Sequence, residues 1–459
     1  MSRIVMEKEK IAVWGIGRCM QENLKYVETM YDVMYFIDND EKSWNIGLID
    51  GSRICKSPEH CRTDKIDFVL IMVLDMVAVD EIEMQLTEMG MRYKKIDEVL
   101  SDCIEEWDKL QIEQYNRGVT IGLELKNKIA RYVECYITKQ TCNMHCSYCF
   151  VTQHDTIGQK VIKLKHSPQF IAKSLSPERL GGRCLISICA NGEPLIDREI
   201  VKLIDLLLME GHYVYLITNG TITSSMRELE RIPRDRLSHL FIRFSFHYYE
   251  LKRLGLLKVF FENIKRFHKM GGSFSILLVG SEDYIEDIET IKALCISEVG
   301  ALPQIDFIRD ETDHQSNEFK ILTKKRPADY LEIWKDFDSK YMEARGLWSG
   351  DPKKVKCWAG NKVTHLNLMT GDLFRCPSGR KIDNIYTDIS EDIHFLAEPE
   401  CCPLSHCACA PGFNAFGLRP ELNDAPTFYE LMNRETDQGD NWIQTDAKDF
   451  FSSKFDYSV

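Results

Sequence analysis

Short apolar runs alternate with amphipathic stretches in two separate blocks of the chain. Between residues 10 and about 103, KIAVWGIG, DVMYFIDND and KIDFVLIMV read as strands, and RCMQENLKYVETM reads as a helix between the first two. Strands alternating with helices predict βαβ units and hence a parallel sheet. The stretch SDCIEEWDKLQIEQYNRGVTIGLELKNK is charged, helical and poor in β-formers, so a domain boundary is placed there. From Tyr132 the alternation resumes with six strands: YVECYITKQ, CLISICANG, YVYLITNG, HLFIRFSFH, SFSILLVG and QIDFIRD. Helical stretches such as REIVKLIDLLLMEG and LLKVFFENIKRFHKMGG lie between them, each ending in glycine as helix C-termini prefer. Six such units predict a partial (β/α)6 barrel of the TIM type. Beyond about Gly350 the alternation fades and cysteine, glycine and proline take over. The expected class is α/β, with a Rossmann-like parallel-sheet domain over 1–115, the partial barrel over 116–345, and a small cysteine-rich domain with a tail over 346–459.

Composition narrows what this scaffold can serve. Hydrophobic residues at 44% and charged residues at 28% are ordinary for a soluble domain protein, and every apolar run is too short to span a bilayer. The start, MSRIVMEKEKIAVWGIG, has neither the apolar core nor the cleavage site of a secretory signal, so a cytoplasmic location is expected. A formal net charge of −13 opposes a phosphate backbone, and nucleic acid and membrane are not expected partners. Seventeen cysteines are many for a reducing compartment in which disulfides are disfavoured. Nine of them fall in two groups: Cys142, Cys146 and Cys149, and then Cys357, Cys376, Cys401, Cys402, Cys407 and Cys409. The others are scattered and read as small buried hydrophobes.

The first group lies in QTCNMHCSYCF, directly after the first barrel strand, where chemistry gathers in such barrels. Three thiolates on one short loop can hold three irons of a cubane and leave the fourth open to a ligand. A zinc site using His145 as a fourth ligand is the plainer alternative, although zinc normally takes two separated ligand pairs. CNMHCSYC resembles the C-x3-C-x-aromatic-C signature of the radical S-adenosylmethionine (radical SAM) superfamily, and the resemblance extends over roughly residues 130 to 415. It implies that Cys142, Cys146 and Cys149 ligate a [4Fe–4S] cluster and that S-adenosylmethionine (SAM) chelates the open iron. It further implies that reductive cleavage yields a 5′-deoxyadenosyl radical, which abstracts hydrogen from substrate. Tyr148 would then pack near the adenine.

The same resemblance gives roles to other strand ends. ANGEP, residues 190–194, is similar to the family's GGEP, which implies that Asn191, Gly192, Glu193 and Pro194 bind the cofactor, with Glu193 on its ammonium by charge complementarity. Arg243 and Ser245 alternate along the fourth strand and share a face; in the family, residues here hold the ribose or carboxylate. Thr218 and Asn219 close the third strand and are expected at the same cavity.

Cys357 and Cys376 flank VTHLNL and GDLFRC, a hairpin whose turn Gly371 permits. This resembles the opening of the auxiliary-cluster extensions called SPASM and twitch domains. The spacing of Cys401, Cys402, Cys407 and Cys409 departs from SPASM, which implies one auxiliary [4Fe–4S] cluster held by Cys357, Cys376 and two of these four, Cys407 and Cys409 first and Cys402 next; zinc is the alternative. At the other end, Gly15, Gly17 and Asp38 make a weak dinucleotide fingerprint, with Met20 at the third glycine position. The expected activity is therefore that of an anaerobic radical SAM oxidoreductase or epimerase. Its substrate would be a small polar molecule of sugar or nucleotide-sugar type, and a flavodoxin or ferredoxin would donate the electron. The alternatives are a radical SAM maturase acting on a peptide or protein, and a metal-stabilised binding or scaffold protein without turnover.

Overall fold

The computed structural model describes residues 7–48, 53–118, 128–138, 141–156, 158, 163–310, 312, 320–348, 355–402, 411–420, 425–455 and 457. The chain divides into two compact units, Met1–Gly118 and Val119–Val459.

In the first unit, strands β1 (Lys10–Trp14), β2 (Asp32–Ile37), β3 (Gly47–Leu48), β4 (Arg53–Lys56), β5 (Phe68–Ile71) and β6 (Tyr93–Lys95) form one sheet in the order β3-β4-β2-β1-β5-β6. All neighbours are parallel except β3 with β4. The central strand β1 is KIAVW, buried at its last four positions, as a strand covered on both faces must be. Gly15 follows it with φ +104°, and a Cβ there would stand 2.6 Å from Val73 Cγ2, so the turn admits only glycine. Residues 101–118 of the charged stretch placed at the domain boundary lie in the 23-residue helix Ile96–Gly118, which buries Val99, Cys103, Ile104 and Trp107. That helix belongs to this unit, and residues 119–127 of the stretch lie outside the described residues.

In the second unit, β7 (Tyr132–Ile137), β8 (Leu185–Ala190), β9 (Tyr213–Thr218), β10 (Leu240–Ser245), β11 (Ser273–Val279) and β12 (Gln304–Asp306) run parallel in chain order, which is the partial barrel. Strands β13 (Lys356–Cys357) and β17 (Glu400–Cys401) form a separate two-residue antiparallel pair. Between them, β14 (Val363–Asn367), β15 (Asp372–Phe374) and β16 (Lys381–Asn384) extend the barrel sheet. β14 pairs parallel with β7, so β14–β16 share the barrel's sheet within the same compact unit.

The N-terminal ends of these strands are stopped by the chain's last helices. Phe413, Phe416, Phe428, Phe450 and Phe451 pack against Tyr132, Tyr213, Tyr215 and Phe241 in one core. Phe450 lies parallel to Tyr213 at 3.7 Å, and Phe413 meets Tyr132 edge-on at 4.7 Å. Such pairs contribute about 0.5–1.5 kcal/mol each beyond area burial. The plug leaves the C-terminal ends of the strands as the open mouth of the barrel.

Candidate active site

The loop after β7 is held by side chains from the ends of neighbouring strands. Asn143 donates from Nδ2 to Thr221 Oγ1 at 2.9 Å and accepts at Oδ1 from Asn219 Nδ2 at 2.8 Å, which fastens the cysteine loop to the turn after β9. The His145 backbone N–H donates to Glu250 Oε2 at 3.1 Å. Cys149 N–H bonds the Cys146 carbonyl at 3.0 Å and leads into the short helix Phe150–Gln153.

The result is a cavity of about 170 Å3 lined by Cys142, Cys146 and Cys149 together with Asn191, Gly192, Glu193, Thr218, Asn219 and Ser245. His247, Met144 and Ile217 line it too, and the sequence had assigned none of them a role of its own. Burial pushes the Cys142 thiol up to about 11, a backbone hydrogen bond at Met144 opposing it and the nearby Glu193 charge adding to it. Burial raises Cys146 further, with Cys149, Glu250 and Cys142 adding to it. Buried thiols of this kind keep their protons until a metal stabilises the thiolates. A donor set of three cysteines on one loop, opening on a shared cavity, fits an iron–sulfur cluster. Among the described residues, no group of three histidine, cysteine, aspartate or glutamate side chains converges so as to hold a single metal ion.

Glu193 is the deepest acid of the site at 1% exposure. Its Oε1 accepts from Leu195 N–H at 3.0 Å and from Thr218 Oγ1 at 2.6 Å, and its Oε2 accepts from Asn219 N–H at 2.7 Å. Burial holds its carboxyl above the usual range, and these three hydrogen bonds oppose the rise. Pro194 is buried beneath it and opens the turn Pro194–Ile196. The Tyr148 hydroxyl is turned to His247 Nδ1 at 2.8 Å and Tyr284 Oη at 3.1 Å. Burial drives His247 down to about 4, Glu250 opposing, so its ring is neutral at physiological pH.

Below the cavity the inner face of the sheet is polar. Strand register places Glu134 beside His365, Ile217 beside Arg243, and Arg243 beside Ser275 on that face. His365 Nδ1 and Glu134 Oε2 are 2.7 Å apart, and the Tyr136 ring stacks on His365 at 4.2 Å. Asp306 is taken by Arg345 through Nε at 3.1 Å and Nη2 at 3.3 Å. Arg243, expected from the sequence at the cofactor, stands one inward-facing position below Ser245, nearer the plug.

A second cavity of about 280 Å3 is lined by Cys376, Cys401 and Cys402 with Arg375, Arg380 and Glu400. Cys357 is paired in register with Glu400, one position from the Lys356–Cys401 pair. Cys401, the least favoured of the four candidates from the sequence, lines this cavity with Cys376 and Cys402, while Cys407 and Cys409 lie outside the described residues. Gly371 turns the hairpin before Cys376 with φ +75°. In the first unit, Asp38 spends its side chain on Asp40 N–H at 2.9 Å, and its backbone carbonyl accepts from Trp44 Nε1 at 2.8 Å.

Residues 136–295 match the family model of the radical SAM superfamily, and residues 7–97 match that described as C2185-like, N-terminal. The chain therefore carries a radical SAM domain, whose cofactors are a [4Fe–4S] cluster and SAM. No curated protein matches the chain. Among solved structures, Streptococcus suis SuiB bound to S-adenosylmethionine is similar at 16% identity, over 68% of this chain and 74% of that one, with a TM-score of 0.41. Native anSMEcpe with bound AdoMet and Cp18Cys peptide is similar at 16% identity, over 56% and 78%, with a TM-score of 0.40. BtrN in complex with AdoMet and 2-DOIA is similar at 13% identity, over 58% and 82%, with a TM-score of 0.26. Among the described residues no helix is long and apolar enough to cross a membrane.

Proposed function

Proceeding from a chain whose residues 136–295 are a radical SAM domain, we propose that Cys142, Cys146 and Cys149 hold its [4Fe–4S] cluster and that the protein is an enzyme abstracting hydrogen from a substrate seated in the barrel mouth. The observation that carries this reading is the single cavity shared by the three cysteines and the ends of β8, β9 and β10. When bound, the cluster and SAM supply a 5′-deoxyadenosyl radical. The chain's own residues position the pair. Asn143 and Asn219 fix the cysteine loop, Glu193 and Asn191 offer acceptors for the ammonium of SAM, and Ser245 faces the same space. The aromatic plug closes the far end, so the radical is shielded from water on that side.

The second cavity, with Cys357, Cys376, Cys401 and Cys402, is the proposed seat of an auxiliary cluster, which makes a net oxidation of the substrate the expected outcome. A small ferredoxin or flavodoxin is the proposed reductant. For the substrate, peptides or proteins stand beside sugars and nucleotide-sugars. SuiB has been solved with precursor peptide SuiA and BtrN with 2-DOIA, so the panel to be screened spans both classes.

The test is anaerobic reconstitution, iron and sulfide counting, and assay of 5′-deoxyadenosine after dithionite and SAM are added. Formation of 5′-deoxyadenosine, lost when Cys142, Cys146 and Cys149 are changed together to alanine, supports the reading. Zinc in place of iron, or a loaded cluster that never cleaves SAM with any member of the panel, overturns it.

A further inference from the structure

Arg243 is the one inner-face charge of β10, and among the described residues no acid forms a direct ion pair with it. Glu134 is engaged by His365 at 2.7 Å, and Asp306 is held by the Nε–Nη2 edge of Arg345 and by the Phe307 N–H at 2.9 Å. The Tyr215 ring lies 5.9 Å from Arg243 Cζ, and Tyr215, Tyr341, Asp306 and Tyr132 act on the guanidinium through space without a hydrogen bond to it. Among the described residues nothing hydrogen-bonds or ion-pairs with the guanidinium, and its Nε is shut off from solvent without an acceptor. Beside it in register, the Ser275 hydroxyl is fully buried and likewise without a partner. Native proteins rarely bury unpaired donors, and a buried guanidinium is the costliest of them to leave unpaired. Two neighbouring orphans on the same wall therefore mark a place where an acceptor from outside the chain belongs.

That place adjoins the reaction space. Ile217, the register partner of Arg243, lines the cavity of the three cysteines, and Ser245, two residues on, lines it as well. Asp306 is ion-paired with Arg345 and Glu134 is hydrogen-bonded to His365, which leaves Arg243 as the charged side chain of the layer without a direct partner. A guanidinium fork beside a hydroxyl matches the oxygens of a carboxylate or a phosphate.

We infer that Arg243, assisted by Ser275, anchors an anionic oxygen group of the substrate, so the substrate carries a carboxylate or a phosphate near the carbon that loses hydrogen. This rests on the radical SAM reading for the meaning of the cavity. The anion fixes the substrate from below while SAM occupies the strand ends above, and Arg243 is a specificity-determining residue.

The test is calorimetric titration of the reconstituted full chain saturated with SAM, using N-acetylglutamate and glucose 1-phosphate as anionic probes and N-acetylglutamine amide and glucose as neutral counterparts. At least one anion binds and its neutral counterpart does not; Arg243→Gln weakens that binding by about tenfold or more, and Arg243→Lys restores part of it. A response to the carboxylate points to a peptide terminus or acidic side chain, and a response to the phosphate points to a phosphate ester. Cluster absorbance and the unfolding temperature of each variant verify that it has folded. Binding of neither anion, or binding indifferent to Arg243→Gln, overturns the inference. So does a loss of SAM affinity in Arg243→Gln without an anion response, which would assign Arg243 to the cofactor. The titration needs neither reductant nor turnover, so failure to cleave SAM is a separate result.

Discussion

Thr218 at the end of β9 donates its hydroxyl to Glu193 at the end of β8 across 2.6 Å, inside a site where the acid is almost wholly buried. The bond fastens two strand ends and holds the carboxylate facing the cavity. Thr218→Val keeps the shape and removes the donor, leaving a buried acid short of a partner. It is expected to lower unfolding free energy by about 1–3 kcal/mol and to weaken SAM binding. Denaturant unfolding and SAM titration of the variant check this, and an unchanged pair of values would mean the hydrogen bond does not organise the site.

Iron content separates the two cysteine fields. Changing Cys142, Cys146 and Cys149 to alanine is expected to remove about four irons per chain and all 5′-deoxyadenosine formation. Changing Cys357 and Cys376 is expected to remove a similar amount while SAM cleavage survives. If the second pair costs no iron, the second cavity is not a cluster site.

His212 supplies a pH dependence of stability that is independent of the cofactors. Its Nδ1 accepts from the Cys184 N–H at 3.1 Å, so the proton sits on Nε2, which donates to the Leu175 carbonyl at 2.8 Å. Burial lowers its pKa from 6.5 to about 4. Between those values the unfolded chain binds a proton that the native chain refuses. The stability contribution is therefore complete above pH 6.5 and is lost as pH falls toward 4, with a slope of up to about 1.4 kcal/mol per unit. Denaturation midpoints across that window should fall less steeply in His212→Gln than in the parent; equal slopes would remove His212 as the cause.

The local pattern was enough to locate the six barrel strands, β1, β2 and β5 of the first unit and the cysteine loop, because each of these strands carries its own period and the motif its own spacing; the short β3, β4 and β6 carry none. QIDFIRD shortens to Gln304–Asp306, since the Phe307 N–H turns back to the Asp306 side chain at 2.9 Å and leaves the ladder. The parallel pairing of β14 with β7 joins residues 231 apart, a partnership that no local pattern records. The aromatic plug was equally hidden, because Phe413, Phe428 and Phe450 lie in short helices whose apolar positions name no partner. Arg243 was visible as a residue, but its lack of a direct ion pair is a property of Asp306, Arg345, Glu134 and His365 together, which only the fold assembles.

The hairpin that carries Cys376 offers a test of how fold and second site are joined. Gly371 takes φ +75°, its N–H bonds the Asn367 carbonyl at 2.9 Å, and a Cβ there would stand 2.4 Å from the Tyr386 ring. Gly371→Ala must therefore strain the backbone and displace a fully buried tyrosine whose hydroxyl donates to the Leu368 carbonyl at 3.2 Å. A cost of about 1–3 kcal/mol is expected, with the turn as the part that yields. Because β15 leads straight from this turn into Cys376, the variant should lose iron from the second site before the first. SAM cleavage should outlast that loss, since β7 and its cysteine loop keep their pairing with β8. Thermal unfolding together with iron counts on the reconstituted variant decides it, and equal loss from both sites would show that β14 and β7 fail as one unit.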